Sequence, residues 1–309
     1  MTMPPPTRPT LGLNLPYVEG SMDGETPRWT DIQAMAQAAE DAGFDAVWVS
    51  DHVGFGDPDT GWSGAWESWT LLTALAVATS RVRLGTYVTA VPYRNPALLA
   101  KMAETLDEVS GGRLILALGA GWNEPEFAAF GFAWERRFDR FEDGLRIITS
   151  MLRTGRADHE GRVQSARGAL IRPRGPRPNG LPVMVGAAAP RMLRLCAELA
   201  DEWNAGMRTP AALAPMSALL DAACRAVGRD PATIRRSAEA MVEPGADAET
   251  GDDLDARGSW DDPFRGTPEA IAAGLRRYLD LGIDHVQVQL RPNRLETVRA
   301  FRPVIEALA

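Results

Sequence analysis

The chain has 309 residues, of which 45% are hydrophobic and 24% are charged, and its formal net charge at pH 7 is −8. This composition is typical of an ordinary soluble globular protein, and no run of about 18 apolar residues predicts a membrane span. The acidic balance argues against nucleic-acid binding, because that binding depends on lysine and arginine side chains that neutralise phosphates.

The first residues and the cysteines indicate a cytoplasmic protein. Residues 1–10 are rich in proline and lack the apolar core of a secretory signal, so we predict a flexible leader there. Cys196 and Cys224 both fall in predicted helices with apolar neighbours. This placement favours reduced core residues over a disulfide.

The first predicted elements end in two reactive side chains. Residues 11–16 are a predicted strand, residues 30–42 a helix, and residues 46–49 a second strand whose apolar run is typical of burial on both faces. Asp51 and His52 follow this strand directly. Ligands in α/β folds meet the carboxyl ends of strands, so we predict that both side chains lie at a catalytic mouth. The alternative is a buried histidine whose ring bonds Asp51 or a backbone carbonyl.

A loop with three tryptophans leads into the next predicted helix, residues 68–79. Trp62, Trp66 and Trp69 could wall a flat ligand just beyond the strand tip. Equally, Trp66 and Trp69 could only pack the helix onto the sheet, because an indole buries a large apolar area. The sequence leaves both interpretations open.

The third and fourth strands are predicted at residues 82–91 and 113–118, with a helix at 96–109 between them. The fourth strand runs into Gly-Ala-Gly at 119–121, where small residues let the backbone approach a ligand, and Asn123 can donate a hydrogen bond to a carbonyl there. The third glycine of a dinucleotide fingerprint is missing, so the motif does not predict a nicotinamide site.

A candidate phosphate-binding turn follows the fifth predicted strand, residues 182–186. It is preceded by a predicted helix at 134–154 and an extended connection at 155–181 rich in Gly, Arg and Pro. Small residues and a proline at 187–190 leave amides free at a helix start, which suits a phosphate, and Arg191 stands beside them. The alternatives are a tight turn without a ligand and an arginine that is only a surface charge.

The rest of the chain continues the alternation of strand and helix. The remaining elements are predicted strands at 201–205, 237–242 and 285–290, helices at 210–228 and 266–281, and an acidic, lid-like insertion at 244–263. Eight strands with helices between them favour a single (β/α)8 TIM barrel over residues 11–309, rather than a doubly wound sheet. His285 begins its strand and is predicted to be structural, and His159 is predicted to lie in a polar loop with no partner. No histidine spacing predicts a metal site.

Four stretches together resemble a known family, the luciferase-like monooxygenase superfamily, and within it the branch that uses the deazaflavin coenzyme F420. The resemblance runs from Leu11 to Leu308. The stretches are Val49-Ser50-Asp51-His52, residues 83–89 with Arg94-Asn95-Pro96, residues 112–124, and residues 185–191 with 200–204.

The resemblance implies a site at the barrel mouth. The flat ring would lie against a bulge in the third strand, with a non-proline cis peptide close to Thr86-Tyr87. His52 would donate the proton or polarise the substrate, and Asp51 would help to place it. By the same resemblance, the cofactor-binding residues would be Thr86, Tyr87, Thr89, Asn123, Gly186, Ala187, Ala188, Ala189 and Arg191, and the substrate pocket would contain Trp62, Trp66 and Trp122.

We therefore predict an F420-dependent oxidoreductase that transfers hydride between the deazaflavin and a small, mostly apolar substrate, as a homodimer by resemblance. One alternative is an FMN-dependent monooxygenase of the same fold that works with a separate flavin reductase. Another is a flavin-binding barrel without catalysis, and the presence of His52 and Asn123 argues against it. In relatives that oxidise sugar phosphates a glutamate follows the glycine pair shortly, whereas Trp122 and Asn123 follow Gly121 here, which weakens that substrate class.

Overall fold

The elements of the chain come from a computed structural model that describes residues 8–245 and 253–309. In chain order, the strands are β1 (Thr10–Asn14), β2 (Ala46–Val49), β3 (Gly54–Asp57), β4 (Gly61–Gly64), β5 (Arg83–Thr86), β6 (Thr89–Ala90), β7 (Leu114–Gly119), β8 (Arg156–Glu160), β9 (Ser165–Leu170), β10 (Val183–Gly186), β11 (Glu202–Met207), β12 (Arg235–Pro244), β13 (Phe264–Gly266) and β14 (His285–Leu290).

The helices alternate with the longer strands. They are α1 (Trp29–Ala42), α2 (Ser68–Ala78), α3 (Pro96–Ser110), α4 (Glu124–Ala129), α5 (Arg137–Thr154), α6 (Pro190–Leu199), α7 (Pro210–Ala226), α8 (Pro268–Asp280), α9 (Leu295–Arg299) and α10 (Arg302–Leu308). Short 3-10 turns occur at Val91–Tyr93, Pro231–Thr233 and Leu254–Ala256.

Parallel strands close into a barrel. β1, β2, β5, β7, β10, β11, β12 and β14 pair in that order, and β14 pairs in turn with β1. The predicted (β/α)8 barrel is confirmed, with helices packed around its outside.

One indole fills much of the barrel interior below the mouth. Trp48 is fully buried in a cluster with Ala46, Ala117 and Met184, and Gly12 and Gly85 lie on the strands to either side. A Cβ atom at Gly12 would lie 2.1 Å from Trp48 Nε1, and one at Gly85 would lie 2.3 Å from the same ring. Glycine at these two positions therefore makes room for the tryptophan on β2.

Three segments differ from the sequence prediction. The predicted strand at 82–91 is interrupted: β5 ends at Thr86, β6 covers only Thr89–Ala90, and a 3-10 turn follows. The tryptophan loop contains the antiparallel hairpin β3–β4, and the connection at 155–181 contains the hairpin β8–β9. Neither hairpin has the alternating apolar pattern that would reveal a half-buried strand in sequence.

The predicted leader and acidic insertion fall partly outside the described residues, namely at 1–7 and 246–252. Residues 8–10 are not a free leader, since Arg8 forms an ion pair with Asp45 at 2.8 Å and β1 begins at Thr10. In the described part of the insertion, Asp255 accepts hydrogen bonds from Arg277 of α8 at 2.8 and 3.0 Å. None of the helices in the described ranges has the length and apolarity to cross a bilayer.

The two histidines away from the mouth have carboxylate partners. His285 is buried at the start of β14, where its Nδ1 lies 2.9 Å from Glu202 Oε1, which fits the predicted structural role. His159 lies in β8 with its Nε2 3.4 Å from Asp143 Oδ1, so the prediction of a loop histidine with no partner was wrong.

Candidate active site

His52 lies at the mouth, and a glutamate from the segment after β7 fixes its ring. Nδ1 of His52 lies 2.8 Å from Oε2 of Glu126, which belongs to α4, the short helix after β7. In the described chain no hydrogen bond within the protein uses Nε2 of His52. The ring therefore offers Nε2 to a ligand while Nδ1 fixes its orientation.

Glu126 is fully buried, and its carboxylate is satisfied by donors from one loop. Oε1 accepts hydrogen bonds from the backbone N–H groups of Val53 and Gly54, the latter at 3.3 Å. Burial alone would raise the pKa of Glu126, but the hydrogen bond and charge of His52 and the Val53 amide hold it below its usual range. Glu126 is thus an ionised acceptor at neutral pH.

A glycine turn brings α4 under His52. Gly121 has a φ of 74°, in the left-handed region, and a Cβ atom there would lie 2.7 Å from the Phe127 ring. The predicted close backbone approach at the Gly-Ala-Gly motif therefore serves an internal contact, which turns Glu126 and Phe127 inward.

Asp51 anchors the strand tip and makes no hydrogen bond to the imidazole. Its carboxylate accepts from both Nη atoms of Arg94 at 2.6 and 2.9 Å, from the Ser68 hydroxyl at 2.5 Å and from the Ala90 N–H at 2.9 Å. The prediction that Asp51 helps to place His52 needs correction: Asp51 fixes the backbone beside it, whereas Glu126 orients the ring.

Aromatic side chains surround His52. Its ring centroid lies 4.5 Å from Phe55 and 5.3 Å from Trp122, which is 67% exposed. Trp62 stacks on Phe130, with ring centroids 6.2 Å apart. Trp122 and Trp62 thus remain candidates for a ligand wall. Trp66 instead donates from Nε1 to the Pro27 carbonyl at 2.8 Å, a contact that secures the hairpin loop.

The bulge in the third barrel strand forms another side of the mouth. The hydroxyls of Thr86 and Thr89 hydrogen-bond each other, and the cis peptide lies at Tyr87–Val88, one bond after the predicted position. Tyr87 packs edge-on against Trp48 at 6.2 Å. Thr86 and Thr89 satisfy each other, whereas the Tyr87 phenol hydrogen-bonds Glu239.

Asn123 supports the dyad of His52 and Glu126. Its Nδ2 donates to the Gly54 carbonyl at 3.1 Å and lies 3.4 Å from Glu126 Oε2, and the side chain is buried. Its amide N–H groups are therefore used inside the protein. The contact of Asn123 to a cofactor ring remains a prediction, and the N–H groups of the side chain have other partners in this structure.

The predicted phosphate segment begins α6 at the same end of the barrel. Ala187 is held by two bonds to β11, an N–H to the Asn204 carbonyl at 3.2 Å and a carbonyl that accepts from Trp203 Nε1 at 2.8 Å. The N-cap residue Ala189 offers no side-chain acceptor, whereas Glu67, Asn95 and Thr209 cap α2, α3 and α7. The first amides of α6 are thus without a side-chain cap.

Arg191 is committed to α5. It forms ion pairs with Asp139 at 2.5 Å and Glu142 at 2.8 Å, and hydrogen bonds to these two carboxylates raise its pKa. The guanidinium that the sequence assigned to the phosphate already has two anionic partners.

A second buried carboxyl, which the sequence analysis did not select, lies on β12. Glu239 accepts from Asn14 Nδ2 at 2.8 Å and Gln289 Nε2 at 2.5 Å, both on Oε1. Burial raises the pKa of Glu239 to about 7, although its amide donors act in the opposite direction. A polar residue in the middle of the predicted strand 237–242 was the available signal for Glu239. For Glu126 the signal was weak, because two glutamates, Glu124 and Glu126, follow the glycine pair and nothing in the sequence distinguishes them.

Comparisons with known proteins agree with this architecture. The sequence model described as luciferase-like monooxygenase matches residues 10–256. The chain is 32% identical over 174 residues to the 5,10-methylenetetrahydromethanopterin reductase of Archaeoglobus fulgidus, which covers 56% of this chain and 48% of that protein. It is 33% identical over 208 residues to the pyrimidine monooxygenase RutA of Cronobacter sakazakii, which covers 64% of this chain and 60% of that protein.

A solved structure extends the likeness to the whole chain. It is an F420-dependent secondary alcohol dehydrogenase in complex with an F420–acetone adduct, with a TM-score of 0.79 and 18% identity over 98% of this chain and 99% of that one. At this identity the likeness concerns the fold alone. The matches span about half to three fifths of the length of the two curated relatives.

Proposed function

This chain belongs to the luciferase-like monooxygenase family, and from that premise we propose that it is an F420-dependent oxidoreductase acting on a small organic substrate at the barrel mouth. That it is an oxidoreductase follows from its relatives, which are a reductase and a monooxygenase. Coenzyme F420 as the cofactor, and hydride transfer as the reaction, are the proposal.

The observation that carries the proposal is the dyad of His52 and Glu126. The Glu126 carboxylate can only accept hydrogen bonds, so it holds Nδ1 of His52 as the donor and leaves Nε2 as the basic nitrogen. When a substrate alcohol is oxidised, its carbon loses a hydride and its oxygen loses a proton, and Nε2 of His52 takes that proton. In the reverse direction the imidazolium returns it.

A bound deazaflavin would supply the other half of the reaction, because its ring donates or accepts hydride and does not activate oxygen. The residues present fit such a cofactor. The uncapped first turn of α6, preceded by Ala187, Ala188 and Ala189, suits a phosphate, and Gly186 and Tyr87 border the mouth. The aromatic pair of Phe55 and Trp122 keeps water from the His52 ring.

An FMN-dependent monooxygenase working with a separate flavin reductase is the second candidate. It is favoured by the 33% identity to a pyrimidine monooxygenase, which is similar to the identity to the reductase. Both cofactors carry a flat ring and a phosphate on a ribityl chain, so the same residues would serve either.

A titration of the purified protein with F420 and, separately, with FMN decides between the two candidates. We expect F420 to bind at least tenfold more tightly than FMN. We also expect the absorbance of oxidised F420 to fall when secondary alcohols are added, or that of reduced F420 to be converted to the oxidised form by ketones. The reverse preference, together with oxygen uptake in the presence of reduced FMN, would overturn the proposal in favour of the monooxygenase.

A further inference from the structure

Two buried side-chain oxygens in the cluster around Glu239 lack a hydrogen-bond donor. They are Asn14 Oδ1 and Asn293 Oδ1. They belong to one cluster, because Asn14 Nδ2 donates to Glu239 and Asn293 Nδ2 donates to the Asn14 carbonyl at 3.2 Å. The Tyr87 phenol donates a hydrogen bond to Glu239, and after burial the charge of Glu239 and this bond raise the pKa of the phenol.

Protein groups satisfy this cluster only in part. No ion pair in the ranges 8–245 and 253–309 includes Glu239, and its donors are neutral, namely the amides of Asn14 and Gln289 and the Tyr87 phenol. Arg208 acts electrostatically on Tyr87, yet its guanidinium donates to the Met207 carbonyl and not to Glu239. A buried polar group without a partner is destabilising, so two such oxygens beside a carboxyl indicate a ligand that supplies donors.

The orientation of Asn14 follows from the same chemistry. Glu239 Oε1 accepts from both Asn14 and Gln289, so the Asn14 amide nitrogen faces Glu239 and its Oδ1 is turned away as a further acceptor. Asn14 is 94% buried, since its exposed fraction is 6%. A side chain fixed in this way and left with a free acceptor is aimed at something other than the protein.

The cluster lies at the same end of the barrel as the His52 dyad. Asn14 is the last residue of β1, and β1 pairs with β2, whose tip carries His52. Tyr17, in the loop after β1, is affected by Glu126, Asp51 and Glu239 together, which add to burial in raising its pKa. Tyr17 is therefore close to both buried carboxyls.

We propose that Glu239, Asn14, Tyr87 and Asn293 form a subsite that binds the protonated amino group of the substrate, so that the substrate class is an amino alcohol, oxidised at its hydroxyl carbon while the amino group stays protonated. An ammonium group has two or three N–H donors and one positive charge, which match the unpaired acceptors and the carboxylate. This inference rests on the proposed function for the reaction, but the binding preference can be measured without turnover.

The experiment uses the full chain, with and without saturating F420, and three probes of similar shape: benzylamine, benzyl alcohol and benzoate. Binding is followed by calorimetry. We expect the wild type to bind benzylamine at least tenfold more tightly than benzyl alcohol, and benzoate to be the weakest. In Glu239→Gln the affinity for benzylamine should fall at least tenfold, while that for benzyl alcohol changes less than twofold.

Two further variants keep the test decisive. Glu243→Gln makes the same change on the same strand, at a glutamate that pairs with Arg265 at 2.8 Å, and should leave benzylamine binding unchanged. Asn293→Ala removes one acceptor without touching the buried carboxyl and should weaken benzylamine about threefold. If Glu239→Gln does not fold, this variant still tests the subsite.

The outcomes separate this inference from the cofactor assignment. If Glu239→Gln weakens F420 and leaves benzylamine unchanged, the cluster binds the cofactor's N–H edge and the amine subsite is wrong. If wild type binds amine and alcohol equally while F420 binds and turns over, the inference fails and the proposed function stands. If F420 does not bind but the amine preference appears, the proposed function fails and the amine subsite stands.

Discussion

At the residue scale, the two buried carboxyls at the mouth differ in what surrounds them. Glu126 faces an imidazole and backbone N–H groups, which keep it ionised. Glu239 faces neutral amides and a phenol, and burial raises its pKa to about 7. Titratable groups whose pKa values are pushed apart in this way commonly divide the roles of a site. Here one carboxyl orients the proton carrier, and the other lies where a charged substrate group can bind.

Replacing Glu126 by glutamine tests the positioning of His52. The glutamine amide is neutral, so Nδ1 of His52 loses its ionic acceptor. We therefore expect kcat for the F420-coupled reaction to fall between about tenfold and a thousandfold, with KM changing less than threefold. Glu126 is buried behind His52 and does not reach the mouth itself. Steady-state kinetics and the F420 dissociation constant are the measurements.

The matched control for that variant is Glu124→Gln, an exposed glutamate of the same short helix. It should keep full activity. A Glu126→Gln protein with normal kcat and normal F420 affinity would show that the dyad does not carry the proton.

Glu239 also predicts a pH dependence of stability. Its pKa is raised to about 7 in the folded protein, so the native state binds more protons than the unfolded state between the ordinary value, 4.5, and 7. Stability from this group is therefore fully present below pH 4.5 and is lost as the pH rises through 7. Its neighbours Asn14, Gln289, Tyr87 and Tyr278 carry no charge that would oppose this.

We expect wild type to lose roughly 3 kcal/mol relative to Glu239→Gln between pH 4.5 and pH 8. Urea unfolding of both proteins at several pH values measures this difference. Glu243→Gln serves again as the control. Parallel pH profiles for wild type and Glu239→Gln would contradict the raised pKa.

At the element scale, one arginine ties three segments together at the mouth. Arg94 donates to Asp51 after β2 and to Glu67 at the start of α2, and it stands just before α3. The Asp51 and Arg94 side chains are 2% and 14% exposed, so solvent screens this pair little. The fork geometry of the guanidinium is what lets one side chain bond both carboxylates.

Arg94→Lys should therefore destabilise the protein by about 1–3 kcal/mol, because an ammonium cannot make the two-pronged contact. Arg167→Lys, at an exposed pair with Glu160, is the control and should change stability by less than about 0.5 kcal/mol. Equal midpoints in urea for Arg94→Lys and wild type would show that the fork is not required.

At the scale of the whole molecule, the barrel depends on one large side chain inside it. Trp48 has no exposed surface, and the glycines on both neighbouring strands leave only space that the indole fills. Trp48→Ala should cost about 3–5 kcal/mol through lost burial and a cavity. Trp122→Ala, at an exposed indole, should change stability by less than about 0.5 kcal/mol. Thermal and urea unfolding compare the two, and equal losses would refute the assigned positions.

The sequence by itself determined the architecture and the location of the mouth. Helix stops, apolar runs and their alternation are local patterns, and they predicted all eight barrel strands and placed His52 at a strand tip. Where a segment lacked such a pattern, as in the hairpins β3–β4 and β8–β9, the prediction failed.

Only the tertiary structure decided which side chains meet. Glu126 and His52 are 74 residues apart, and Glu239 and Asn14 are 225 residues apart. Their contacts arise because β5 lies between β2 and β7, and β14 lies between β12 and β1, so that strand ends distant in sequence turn toward one axis in the closed barrel. Sequence pattern records how each segment is buried, whereas the partner of a buried polar group depends on the register of closure, which no single segment contains.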